Sequence, residues 1–162
     1  MDYTVFARMR SGDWLRLDGE SDQDFMQRTF RAVCVSESRG SAPIINDMLQ
    51  PEYVACDVES GGLTLSFTSR DWMCNPQGTT HGGLLATCAD MTMGILARFT
   101  RGGEVVSTAD LHVNYLRPVS RSESFEIHAH VEKQGRRLIF MRAEGILLAS
   151  RQTCLTAMGI FA

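Results

Sequence analysis

Asp90 is the only charged side chain between His81 and Arg98, in the otherwise apolar run HGGLLATCADMTMGILAR. Burying an unpaired carboxylate is costly, or the group escapes the cost by taking up a proton. A helix that only filled a core would carry Leu or Ala there. Two readings follow: a structural acid accepting hydrogen bonds from backbone or a partner chain, or a working carboxylate that acts as base or nucleophile. Nine residues earlier, His81-Gly82-Gly83 opens the same run. The first amides of a helix have no intrahelical acceptor and lie at the positive end of its dipole. With no Cβ on Gly82, a substrate carbonyl can come close to that backbone, as a developing oxyanion requires. The plainer alternative is that the two glycines only allow close packing at the helix start.

Other chemistry-bearing residues give weaker signals. His128 and His130 stand two apart on a predicted strand, hence on one face, where they could ligate a metal. No further Cys, Asp or His at ligand spacing joins them, so a solvent-facing role is expected and no metal or other cofactor. The five cysteines (Cys34, Cys56, Cys74, Cys88, Cys154) are odd in number, scattered and free of CxxC pairs. That argues against a disulfide framework and against a zinc knuckle. A cysteine nucleophile with His81 as base is the remaining option. Cys74 and Cys88 sit beside apolar residues, where an inert thiol is expected. Nine methionines, Met91 and Met93 among them, suggest an adaptable apolar wall.

The elements that must position these residues follow from periodicity. Ser21 can cap a helix with Asp22 and Asp24 in its first turn and Phe25, Met26, Phe30 and Val33 as its apolar stripe, ended by Gly40 and Pro43. Residues 53–58 predict a strand, a turn at 59–62 follows, and Leu63, Leu65 and Phe67 then alternate with polar neighbours. The run 81–98 predicts the main helix, capped by Thr79 or Thr80. It is apolar nearly all round, so burial on all sides is expected. After Gly103 the chain reads as strands. Ala109, Leu111, Val113 and Tyr115 alternate with Asp110, His112 and Asn114; Phe125, Ile127, Ala129 and Val131 alternate with Glu126, His128, His130 and Glu132. Gln134-Gly135 turns into LIFMRAEGILLA, and RQTCLTAMGIF is the last strand. One apolar helix between a hairpin and a four-strand meander predicts a sheet curled around that helix, an α+β arrangement.

The 162 residues suit one core-forming domain, with 44% hydrophobic and 22% charged residues, ordinary values for a soluble globular protein. A formal net charge of -3 gives no electrostatic reason to expect nucleic acid or a membrane as partner. The beginning of the chain, MDYTVFARMRSGDW, lacks a basic stretch followed by an apolar run, and Leu84–Phe99 is too short to span a bilayer. A reducing cytoplasm is the expected location.

The segment Asn75 to Gly83, with its Asn, the Gly78 three residues on, and His81-Gly82-Gly83, followed by Asp90, resembles the PaaI-like (phenylacetate-degradation type) thioesterases of the hotdog superfamily. Residues 108–118 look like the family's third strand and Lys133-Gln134-Gly135-Arg136-Arg137 like its following turn. The resemblance covers roughly residues 44–161 and implies a hotdog domain at 44–162 behind an N-terminal extension, 1–43, with an extra helix. It implies hydrolysis of acyl-CoA thioesters by a homodimer or homotetramer. Two central helices would lie side by side under a continuous sheet, with the Asp of one subunit facing the Asn and His-Gly of the other.

Carried over position by position, the resemblance makes Asp90 general base or nucleophile and the Gly82 amide the polariser of the thioester carbonyl. His81 would orient that loop, Asn75 would position water or substrate, and Thr108 would hydrogen-bond water or carboxylate. Gly83, Tyr115, Leu116, Pro118 and Gly135 would line the substrate site. Arg117, Arg136 and Arg137 are candidates for the CoA phosphates, because guanidinium groups bind phosphate bidentately. Solvated strand-end charges are the competing account of the arginines. A hotdog hydratase lacks support in the loop motifs, and a non-catalytic acyl-CoA-binding module would not need this whole residue set. The acyl group is open.

Overall fold

The computed structural model describes residues 15–34 and 44–162. The apolar run forms the long helix predicted for it, α3 (Gly82–Thr100), below an antiparallel six-stranded sheet. Ahead of it come α1 (Asp22–Cys34), a five-residue helix α2 (Ile45–Leu49), the hairpin β1 (Glu52–Asp57) and β2 (Gly62–Thr68), and a 3-10 turn at Asp71–Met73. After it come β3 (Thr108–Tyr115), β4 (Ser124–Gln134), β5 (Ile139–Leu147) and β6 (Thr153–Phe161). The sheet runs β1-β2-β4-β5-β6-β3, so the strand that follows the helix ends on the edge opposite the first hairpin.

Period-two alternation builds the core side of the sheet. Leu63, Leu65 and Phe67 of β2 lie opposite Ala129, Ile127 and Phe125 of β4, and all six are buried. α3 closes that surface with Leu85, Cys88, Ala89, Met93, Leu96 and Ala97. The expectation that α3 is buried on every side needs correction. Its opposite stripe, with Leu84, Met91 and Ile95, is only half-buried in the single chain, because no element among the described residues packs beneath it.

α1 begins as predicted: the Ser21 hydroxyl accepts the Asp24 amide at 3.1 Å. Its predicted end at Gly40 and Pro43 lies outside the described residues. Met26 and Phe30 enter the common core, and the Phe25 and Phe30 rings lie 5.3 and 5.1 Å from Phe99 on α3. The Gln23 side chain donates to the Cys56 carbonyl at 2.8 Å and accepts the Val58 amide at 3.0 Å. The end of β1 is thereby blocked against further strand pairing. At the other edge, no described strand pairs with the outer side of β3.

Three local predictions differ. α2 was not anticipated; it stops at Gln50, which takes a left-handed conformation (φ 47) before Pro51. The last strand begins at Thr153 rather than Arg151, because residues 148–152 form a turn with Arg151 also left-handed (φ 57). The cap of α3 is neither Thr79 nor Thr80. His81 Nδ1 accepts the Gly83 amide at 3.3 Å, while the Thr80 hydroxyl is spent on Ser69 Oγ at 2.7 Å.

Candidate active site

Asp90 lies half-buried in the middle of α3. The Thr108 hydroxyl, at the start of β3, donates to its Oδ1 at 2.7 Å. A register slip brings this pair together. Thr108 is opposite Phe161 and Asp110 is opposite Ile160, so Ala109 is an extra residue in the ladder. Strict alternation would put Thr108 on the outer face with Asp110, His112 and Asn114. The bulge turns it to the helix-facing side instead, in phase with Leu111, Val113 and Tyr115, whose partners Ala157 and Leu155 are buried.

Tyr115, at the other end of that face, reaches the start of α3. Its hydroxyl donates to the Gly82 carbonyl at 2.8 Å, and a Cβ built on Gly82 would lie 3.2 Å from Tyr115 Cζ. A side chain at position 82 would push the ring back by a few tenths of an ångström or more. In this first turn the Gly83 amide donates to His81 Nδ1, and the Leu84 and Leu85 amides both donate to the His81 carbonyl. The Gly82 amide has no acceptor among the described residues. One backbone donor at the positive end of a nineteen-residue helix is thus left over for a ligand.

Beside it opens a cavity of about 280 Å³. Thr80, Gly82 and Leu85 form one wall, and Tyr115, Leu116, Arg117 and Pro118 the other. Thr80 and Leu85 were not singled out from the sequence; the HGG spacing placed them next to the motif, and that was the available signal. Gly83 lies one residue further into α3, exposed, its amide turned to His81.

The remaining predicted residues are placed elsewhere. Asn75 is engaged in its own loop: its Oδ1 accepts the Gln77 and Thr79 amides at 3.0 and 3.2 Å. The loop is pinned to both sides, the His81 amide donating to Met73 O and the Thr80 amide to Val119 O, each at 2.8 Å. Arg117 donates to the Thr153 carbonyl at 2.7 Å and stays beside the cavity. Gly135, Arg136 and Arg137 form the β4–β5 turn at the far end of α3. There Arg101, missed in the sequence, donates to the Arg136 carbonyl at 2.9 Å. The three arginine candidates therefore fall into two groups at opposite ends of the helix.

Asp90 and Gly82 do not meet within one chain. Eight residues of α-helix separate them, an axial rise of about 12 Å. A single thioester carbonyl cannot touch both.

The thiols are poor nucleophiles. Burial pushes Cys88 up to about 12 and Cys34 up to about 11, and raises Cys56 and Cys154 as well. Among the described residues no group of three or more His, Cys, Asp or Glu could hold a metal. His128 Nε2 lies 2.9 Å from Glu126 on the outer face of β4.

A sequence profile of the thioesterase superfamily matches residues 77–154, from the loop after Asn75 to the first residues of β6. A Pseudomonas aeruginosa protein named as an esterase is 30% identical over 122 residues, covering 75% of this chain and 88% of that protein. The chain belongs to the thioesterase superfamily. Its fold is the hotdog fold, and its PaaI-like character extends to solved structures. A thioesterase-like, phenylacetic acid degradation-related protein from Ralstonia eutropha superposes with a TM-score of 0.66 at 28% identity, over 76% of this chain and 93% of that one. Human acyl-coenzyme A thioesterase 13 is 44% identical over 68 residues, which is 41% of this chain and 47% of that protein. The chain thus matches about half the length of that human relative. As a member of this superfamily, the chain is a thioester hydrolase. No helix among the described residues is long and apolar enough to cross a membrane.

Proposed function

We propose that this thioesterase hydrolyses acyl-CoA thioesters in a cleft shared by two subunits, with Asp90 of one chain acting on a carbonyl held by the Gly82 amide of the other. The observation that carries this reading is the 12 Å gap just described, with each half of the site otherwise prepared. Two copies of α3 packed antiparallel about a two-fold axis would cancel the gap, because the axis would fall midway between residues 82 and 90. The half-buried stripe of Leu84, Met91 and Ile95 is the surface such packing would cover. The outer edge of β3 would then join its own copy into a continuous sheet, since Gln23 already occupies the β1 edge.

In this cleft the Gly82 amide and the helix dipole stabilise the oxyanion, and His81 holds the loop. Asp90 attacks the carbonyl carbon or takes a proton from the water that does; Thr108 fixes the carboxylate's orientation. Asn75 shapes the loop that borders the site. Phosphate binding is assigned to Arg136 and Arg137 with Arg101 as support. Arg101 lies eleven residues beyond Asp90, about 16 Å along the helix, on the scale of an extended pantetheine arm. Arg117 sits too near the reacting end for that role and instead borders the acyl cavity.

Thiol release from a panel of acyl-CoAs tests the reading, with wild type beside Asp90→Asn. The substitution keeps the size and removes the base. A fall in kcat of about 100-fold or more is expected. An Asp90→Asn protein as fast as wild type on every substrate overturns the mechanism, and acyl-CoA binding without any thiol release by wild type would make the chain a binding module.

A further inference from the structure

We infer that Tyr115 is the positioning residue of this oxyanion site: its hydroxyl, through the Gly82–Gly83 peptide, fixes the orientation and tautomer of His81. The inference rests on the shared-cleft reading and adds to it a residue that never touches the reacting atoms.

Two hydrogen bonds joined by one peptide group carry it. Tyr115 Oη donates to the Gly82 carbonyl at 2.8 Å. The N–H at the other end of that same peptide, Gly83's, donates to His81 Nδ1 at 3.3 Å. A donor on a peptide oxygen polarises the whole amide and strengthens its N–H as a donor. A neutral imidazole that accepts at Nδ1 carries its proton on Nε2. His81 is exposed at the start of the helix, where the Gly82 amide is also left over. The relay would thus leave Nε2–H as a second donor at the helix start.

Packing within the chain does not account for the tyrosine, which is 52% exposed there. Its ring lies tightly against Gly82, where a Cβ would come to 3.2 Å. The bulge at Ala109 keeps Tyr115 and Thr108 on one face. Edge strand β3 thus braces both halves of the chemistry, Thr108 the carboxylate and Tyr115 the anion-binding turn. In a shared cleft these two braces come to each site from different subunits.

Tyr115→Phe removes the hydroxyl and keeps the ring. The expected result is a kcat lower by about 3- to 10-fold with KM within about twofold and an unchanged Tm. In a His81→Asn background the same substitution costs nothing further, because the relay has lost its end. Imidazole nitrogen NMR of the wild-type protein should report His81 protonated on Nε2. Wild-type kcat in Tyr115→Phe, an effect on KM alone, losses that multiply in the double variant, or a wild-type His81 protonated on Nδ1 each overturn the inference. Asp90→Asn measured alongside separates the two levels. If it is inactive while Tyr115→Phe is normal, only the relay falls; if it is fully active, the site reading falls with it.

Discussion

Replacing Thr108 by valine keeps the branched shape of the side chain and deletes the 2.7 Å donor to Asp90 Oδ1. The bond fixes the orientation of the Asp90 carboxyl, which the proposed chemistry requires. Thr108→Val is expected to lower kcat by about 10-fold or more, while Thr108→Ser retains most of the activity. Thiol-release kinetics on the best substrate of the panel measure both. Equal rates in the valine and serine variants would remove Thr108 from the account of the site. At the same scale the five cysteines, none of them disulfide-bonded, need no role in the proposed chemistry: burial raises four of them, Cys88 to about 12 and Cys34 to about 11.

Among the elements, β4 carries a titrating group with a readable effect on stability. The His130 imidazole is held below its ordinary value, first by burial, then by Arg142 of β5 and by His128 on its own strand; Glu132 and Glu144 pull the other way. A folded-state value below the unfolded one means that the unfolded chain takes up the proton first as pH falls. The contribution is full above about pH 6.5 and is lost as pH falls below it, toward the lower folded value. Glu20, held at about 2 by Arg28, acts only at much lower pH. His130→Gln is therefore expected to reduce the drop in Tm between about pH 7.5 and 5.5, measured by thermal melts, and an equally steep drop would exclude His130 as its source.

The elements also mark what the residues alone disclosed. Alternation is strong where one face is buried, so the buried faces of β2 and β4 were legible from the two strands' patterns, while the pairing of these two strands was not. Alternation failed at β3, where the extra Ala109 carries no Gly or Pro signal and flips Thr108 to the helix side. The HGG motif and Asp90 were legible by spacing. The contact of Asp90 with Thr108 was legible only through the family resemblance; that of Tyr115 with Gly82 was not legible, because it depends on β3 crossing to the far edge of the sheet. α3 was read as buried all round because composition alone does not separate a half-buried apolar stripe from a core-facing one.

At the scale of the whole molecule, the gap between Asp90 and Gly82 makes a subunit-mixing experiment decisive. An Asp90→Asn subunit lacks the carboxylate and keeps the amide. A Gly82→Val subunit keeps the carboxylate, while its new side chain collides with the Tyr115 ring, which a Cβ alone would approach to 3.2 Å. On the shared-cleft proposal each variant by itself would form dimers with two dead sites. In a mixed dimer the Asp90 of the valine subunit would face the Gly82 of the asparagine subunit, so one of the two sites would be whole. Random reassortment of equal amounts makes half of the dimers mixed, and activity should recover to about a quarter of wild type. Unfolding and refolding the variants together allows the exchange, and thiol release reads the result. A site contained within one chain predicts no recovery at any mixing ratio. That outcome, in a preparation shown by mass to contain the mixed dimer, would place the chemistry in a single subunit and leave the open edge of β3 and the half-buried stripe of α3 without a catalytic reason.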